Sequence, residues 1–175
     1  MDAFHTLAEI AVAIAGFSSL VIAFRGRSSD WSGQDYLGLG YVLCWGIGAI
    51  FLSLLPIILG EFGVMLGDAS RIGLLALPIY MLGVGGVLGY VRRSLARDAE
   101  SQSLPLWKTA TGPGKVGKAM SASSLSIVAI CLLAGFELLP GPTHAWYAVA
   151  IVFLMAHAVA EMGAFVLLSE RAKKP

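Results

Sequence analysis

Five long runs of apolar residues constrain this chain more than any other feature of its sequence. They cover approximately Ala3–Phe24, Tyr36–Gly60, Ile72–Val91, Ala119–Leu139 and His144–Leu168. Each run holds about 20 residues or more, and a helix of that length crosses a hydrocarbon core about 30 Å thick. None of them alternates apolar and polar residues as an outer-membrane strand does. The sequence therefore predicts an all-α polytopic transmembrane bundle of five spans, with residues 1–175 forming a single membrane domain.

Composition indicates the same class of protein. Apolar residues make up 57% of the chain and charged residues 13%, whereas soluble domains are about 25% charged. The mean hydropathy is +0.79. So few charges leave too little polar surface to keep a small protein in water, and an integral membrane protein is predicted. Breaks between spans are expected at residues 25–30, at Gly67–Arg71 and at the turn Pro140–Pro142.

Basic residues divide unequally between the two sets of connections that five spans create. Of the 12 Lys and Arg residues, all but Arg71 lie in the segment 25–35, the long loop 92–118 or the tail 169–175. Because basic connections stay in the cytoplasm, the N-terminus is predicted outside, and the C-terminus and the loop 92–118 inside. The basic inner face is also expected to contact anionic lipid headgroups.

Two histidine–glutamate pairs lie inside the predicted spans. His5 precedes Glu9 by four residues in the first span, and His157 precedes Glu161 by four in the last. This spacing puts both side chains of a pair on one helix face. An ionisable group in hydrocarbon costs roughly 2.5–3.5 kcal/mol on insertion scales, so such residues usually face a protein interior or a wet cavity. All four are candidates for an ion pathway.

Two further glutamates, Glu61 and Glu137, join the candidates because they lie at the predicted outer ends of the second and fourth spans. Glu9 is expected to be the most consequential of the six residues. It is deeper than these two glutamates, and Ala13 and Gly16 continue its helix face. If Glu9 handles cations, Glu9→Gln should abolish flux; if it is a packing element, Glu9→Leu should disrupt assembly.

Small residues suggest where helices approach one another. Gly16 and the glycines of the third span, Gly83, Gly86 and Gly89, are predicted to form a packing seam. Together with the small-residue face of the first span, they exceed what a thin five-helix monomer needs for its own packing. We therefore expect a symmetric homo-oligomer. The serines of the first and fourth spans, Ser18, Ser19, Ser121, Ser123, Ser124 and Ser126, could line a wet path or bond to their own helices.

The candidate residues do not match the known patterns of metal or haem sites. Histidine and glutamate supply metal-binding atoms, but carboxylate-rich bundles use Glu-x-x-His, and here the order is reversed and the spacing is four. Whether the pairs bind a metal or only pack stays open, and no cofactor is expected. Haem would need two ligands at one depth, which His5 and His144 match on depth alone. Cys44 and Cys131 fit free thiols that pack inside spans.

Nucleotide and nucleic-acid partners are not expected. The segment Gly112–Lys118 fits the phosphate-loop pattern, but Ala119 follows where magnesium binding needs a hydroxyl, and the next helix is a membrane span. The basic residues follow topology. No recognisable catalytic set appears in the loop 92–118, so an enzyme is the less favoured class.

The first span carries a resemblance. The stretch from Ala8-Glu9 through Ala15-Gly16-Phe17 to Val21 resembles the opening helix of short, uncharacterised bacterial inner-membrane proteins. The resemblance implies no activity. It implies that Glu9 and Gly16-Phe17 belong to a recurring pattern and that the chain resides in a bacterial inner membrane.

Two functions from different classes remain open. One is a homo-oligomeric channel or carrier for cations or protons, in which glutamates gather around an axis between copies. The other is a non-catalytic scaffold or accessory subunit, whose buried histidines and glutamates fix helix packing. A cation-flux assay in liposomes separates the two.

Overall fold

The computed structural model describes residues 2–25, 33–98, 108–109, 112–113 and 115–171, which form five α-helices and a small hairpin. The helices are α1 (Asp2–Arg25), α2 (Gly33–Glu61), α3 (Leu66–Asp98), α4 (Lys115–Gly135) and α5 (Thr143–Arg171). Strands β1 (Lys108–Thr109) and β2 (Gly112–Pro113) pair antiparallel. All five helices contain a stretch long and apolar enough to cross a membrane. The helical prediction is thus confirmed, with the architecture of a multi-pass membrane protein.

Several helix ends differ from the predicted spans. α3 begins at Leu66, so the segment Gly67–Arg71 belongs to the helix, and Asp68 in its first turn suits the positive end of the helix dipole. The chain turns instead at residues 62–65. α4 ends at Gly135, before the Pro140–Pro142 turn. The loop 92–118 is shortened at both ends by α3 and α4. Its residues 99–107, 110–111 and 114, the segment 26–32 after the first span and the tail 172–175 lie outside the described residues.

The two helices that precede short connections end in the same way. After α2 and after α4, two successive amides bond back to carbonyls of the last turn in the pattern of a Schellman motif. This motif requires one residue in the left-handed region. Gly63 fills that position after α2 with φ of 80°, and Glu137 fills it after α4 with φ of 61°. A side chain in this conformation costs about 1–2 kcal/mol, so the end of α4 is strained.

α5 is the central helix, because it contacts each of the other four. The helices alternate in direction along the chain, so α1 and α5 run parallel and α2 runs against them. Large buried core side chains of α2, α3, α4 and α5 include Trp45, Leu52, Leu74, Leu77, Ile127, Tyr147, Ile151 and Leu154. α1 packs on this core through Phe4, Ala8 and Ala11.

One contact fixes α5 against α2 and α3. Pro56 has no amide hydrogen, so the Leu52 carbonyl lacks its usual helical donor. The Tyr147 hydroxyl, from α5, donates to that carbonyl at 2.6 Å. The Tyr147 ring fills the space beside Gly73 of α3, where an added Cβ would overlap the ring atoms. This contact sets the register that brings His157, ten residues further along α5, beside Trp45 of α2.

Candidate functional site

His157 lies in the core, on the side of α5 that contacts α2 and α4. Its side chain is buried. The Nε2 atom is 3.3 Å from the Ser123 hydroxyl oxygen and 3.2 Å from that of Ser124, both on α4. The imidazole packs against the Phe153 ring with 4.2 Å between centroids, and the Trp45 ring meets it nearly perpendicular at 5.8 Å. Three helices therefore hold this histidine.

The two serines give Nε2 a hydrogen-bond partner in either protonation state. Ser123 donates its hydroxyl hydrogen to the Met120 carbonyl at 2.9 Å, so its oxygen faces Nε2 as an acceptor. The described hydrogen bond of Ser124 is with Nε2 alone, and a hydroxyl can donate or accept. Nε2 can therefore donate to Ser123 when it carries a hydrogen, and accept from Ser124 when it does not. A proton can therefore bind to Nε2 or leave it, and the nitrogen keeps a hydrogen-bond partner in both states.

Glu161 lies one helical turn beyond His157, about 6 Å along α5. The residue is 7% exposed, and in the described part of the chain no hydrogen bond or ion pair reaches its carboxylate. The Trp45 indole N–H is likewise buried and has no partner there. Buried polar groups are normally paired. The core polar cluster, by which we mean His157, Glu161, Ser123, Ser124 and Trp45, thus contains an acceptor and a donor with unused capacity.

The other predicted pair does not join this cluster. The buried stripe of α1 contains Phe4, Ala8 and Ala11, whereas His5 and Glu9 are exposed on the far side of the helix. Within one chain, Glu9 therefore points away from His157 and Glu161. The predicted role of Glu9 in an ion pathway stays a prediction.

Glu61 and Glu137 lie at the same end of the bundle, where the short connections are, and both are exposed. Glu61 is the last residue of α2. The Glu137 carboxylate forms an ion pair with Arg71 at 3.2 Å. The Arg71 Nε also donates to the Gly135 carbonyl at 3.0 Å, which puts a cation at the negative end of α4. The Glu137 carboxylate is therefore held by Arg71 at the end of α4.

The four glycines of the predicted seam face away from the rest of the chain. A Cβ atom added at Gly16, Gly83, Gly86 or Gly89 would meet no described atom within 4 Å beyond its own stretch of helix. Close approach within the chain occurs instead at Gly48 and Gly73, where an added Cβ would overlap the rings of Tyr80 and Tyr147. The use of the seam between copies stays a prediction.

Metal-binding side chains do not converge in the described residues, where no three His, Cys, Asp or Glu side chains form a group. His144 is exposed at the start of α5, and Cys44 and Cys131 are free thiols. The core polar cluster offers one carboxylate and one imidazole, whereas calcium takes about six to eight oxygens. The cluster therefore suits a proton better than a metal cation.

Sequence reasoning identified His157, Glu161 and the serines of α4 but missed Trp45 and the partner of Glu137. Tryptophan is enriched at membrane interfaces, so an indole well inside the second span was the available signal for Trp45. Arg71 could have been found as the single basic residue on its side of the predicted topology.

Comparisons of this chain with known protein families, with curated proteins and with solved structures find no match.

Proposed function

We propose that this protein is a proton carrier of the bacterial inner membrane, in which the core polar cluster of each chain binds and passes on protons. One observation carries the proposal. The Glu161 side chain is buried, and no hydrogen bond or ion pair reaches its carboxylate in the described residues, one turn from a histidine whose Nε2 has a hydrogen-bond partner in either protonation state. An ionised carboxylate buried without a counter-charge is costly, whereas the neutral acid is not. Such a residue is suited to take up and release a proton.

Packing on one side of the cluster supports a carrier rather than a permanently open pore. Between His157 and the short-connection end of the bundle, α5 contributes Leu154, Ile151 and Tyr147, each 0% exposed. These side chains close the core in that direction. Transfer across the membrane therefore requires a second conformation in which the cluster communicates with the other side.

The proposed orientation and location rest on the sequence. The distribution of basic residues supports an N-terminus outside and a C-terminus in the cytoplasm. The resemblance of the first helix supports a bacterial inner membrane. Single cysteines introduced by Asp2→Cys and Lys173→Cys test the topology: a reagent confined to the outside should label the first and not the second. Labelling of Lys173→Cys alone would show that the orientation is the opposite of the proposed one.

Proton flux into liposomes tests the function. The full chain is reconstituted with a pH-sensitive dye in the lumen, and a potassium gradient with valinomycin supplies the membrane potential. Wild-type vesicles should acidify or alkalinise faster than protein-free vesicles. Glu161→Gln keeps the shape of the side chain but removes its proton-binding carboxylate, so flux should fall to the protein-free rate. Glu61→Gln is the matched control, because it makes the same chemical change at an exposed helix end.

Three results would contradict the proposal. These are wild-type flux equal to that of protein-free vesicles, wild-type flux through a Glu161→Gln protein with a native circular dichroism spectrum, and sodium flux without proton flux. The last result would keep transport but replace the proton by a metal cation.

A non-catalytic scaffold is the second candidate, and the contacts of His157 favour it. Hydrogen bonds to α4 and ring contacts with Trp45 would hold the bundle together without any transport. The Glu161 carboxylate, however, adds nothing to such packing. A wild-type protein without flux, whose stability falls on His157→Leu, would favour the scaffold.

A further inference from the structure

The outward face of α1 carries an acid and a base that the described part of the chain does not cover. His5, Glu9, Ala13 and Gly16 recur on this face at intervals of three or four residues, and all four are exposed. In the described part of the chain, neither the His5 imidazole nor the Glu9 carboxylate has a hydrogen-bond or ion-pair partner. A helix side with this content is unsuited to lipid.

Depth makes the exposure of Glu9 costly. The apolar stretch of α1 is Ala3–Leu20, and Glu9 follows its start by six residues, or about 9 Å along the helix. Carboxylates inside hydrocarbon are rare and almost always face protein or water. Rotation of α1 cannot solve the problem, because Phe4 and Ala11 on the opposite side are 3% and 1% exposed and would lose their packing. Glu9 therefore needs a cover that the described residues do not supply.

We propose that a second copy of this chain covers the face, with the two α1 helices running parallel around a two-fold axis. A two-fold interface uses the same patch on both copies and must be self-complementary. This patch meets that condition, since it carries one base and one acid a single turn apart. Because the axis puts equivalent residues at the same depth, the His5 imidazole of each copy reaches diagonally, about 6 Å along the helices, to the Glu9 carboxylate of the other, and the contact is made twice. A partner of different sequence would have to supply its own matching pair.

The lower part of the same face permits the close approach that such contacts need. Gly16 has no side chain, and an atom added there would meet nothing within 4 Å. Ala13 is the next residue above it on this face. Small residues at helix interfaces in membranes let backbones approach closely. Val12 and Leu20, each 56% exposed, flank the seam and supply apolar contact at its edges.

A charge exchange tests the pairing directly. His5→Glu gives a patch with two acids, and Glu9→His gives a patch with two bases. Each variant should self-associate at least about tenfold more weakly than the wild type in a mild detergent. When the two variants carry different affinity tags and are mixed, they should co-purify as heterodimers, because each acid of one faces a base of the other. Self-association of either variant at wild-type strength would overturn the proposal.

Disulfide cross-linking in liposomes locates the contact independently of charge. Gly16→Cys and Ala13→Cys should each form a covalent dimer on mild oxidation. Ile10→Cys is the control on the same helix, because residue 10 is 46% exposed but turned about 100° from Glu9. The unchanged chain, with Cys44 and Cys131, gives the background. Cross-linking at position 10 as strong as at 13 and 16, or none at 13 and 16, would overturn the proposal, as would a monomeric wild type in lipid.

This inference does not depend on proton transfer. The core polar cluster lies within one chain. A dimer without proton flux would support the α1 interface and contradict the proposed function, and a monomer with proton flux would do the opposite.

Discussion

Removal of the Tyr147 hydroxyl should destabilise the bundle more than the loss of a single oxygen atom suggests. Tyr147→Phe leaves the ring beside Gly73 in place and deletes only the donor to the Leu52 carbonyl. That carbonyl has no helical donor, because the residue four positions on is Pro56. The change therefore leaves a buried acceptor unpaired, without creating a cavity of any size.

The loss of stability depends on whether the carbonyl that loses the tyrosine hydroxyl has a second hydrogen-bond donor. Hydrogen bonds between transmembrane helices contribute about 0.6 kcal/mol on average and about 1.7 kcal/mol at most. Because Leu52 has no second donor, we expect Tyr147→Phe to cost about 1.5 kcal/mol, near that upper value. Tyr80→Phe is the matched control. Its hydroxyl donates to the Cys44 carbonyl, four residues before Gly48, which has an amide hydrogen. We expect that change to cost about 0.5 kcal/mol.

Reversible unfolding in mixed micelles, followed by circular dichroism, measures both values. Pro56→Ala supplies the missing amide hydrogen and completes a double-mutant cycle with Tyr147→Phe. In the Pro56→Ala background, Tyr147→Phe should cost about 1 kcal/mol less than in the wild type. An equal cost in both backgrounds, or a Tyr80→Phe cost as large as that of Tyr147→Phe, would refute the reasoning.

Three further results are expected from the same unfolding measurement. Glu137→Gly and Glu137→Gln both lose the exposed ion pair with Arg71, but glycine alone relieves the left-handed backbone, so the glycine variant should be about 1 kcal/mol more stable. Gly73→Ala should cost about 1–3 kcal/mol through overlap with a buried ring, whereas Gly83→Ala should leave the stability of one chain unchanged or higher. Ser123→Ala or Ser124→Ala alone should cost little, because the His157 ring can take the tautomer in which Nε2 bonds to the remaining serine. The double change should cost about 1–3 kcal/mol, more than the sum of the two.

The five spans could be predicted because each apolar run is long enough to cross a bilayer and few runs are interrupted. Helix ends were less accessible. The segment Gly67–Arg71 is polar enough to look like a break. Asp68 nevertheless suits a first helical turn, and the chain turns earlier, at Gly63. The end of α4 could not be placed, because Glu137 is an unusual residue for the left-handed position that closes it.

The two histidine–glutamate pairs show why only half of the site could be predicted from the sequence. Their spacing is identical, but Glu161 is buried and Glu9 is exposed. In a soluble helix the polar side faces water, so periodicity reveals which side is inside. In a membrane helix both sides are apolar, and small residues lie on both, so the buried side is decided by contacts with other helices. The neighbours of α1 and α5 cannot be read from either helix alone.

The perpendicular contact between Trp45 and His157 gives the chain a built-in optical reporter. A charged imidazole quenches indole emission, so the fluorescence of Trp45 should dim when His157 takes up a proton and recover when it releases one. Of the four tryptophans, Trp146 donates to the Pro140 carbonyl at an exposed helix end, and Trp31 and Trp107 lie outside the described residues. With those three replaced by phenylalanine, the emission of Trp45 alone would report in real time whether His157 carries the proton, without any added label.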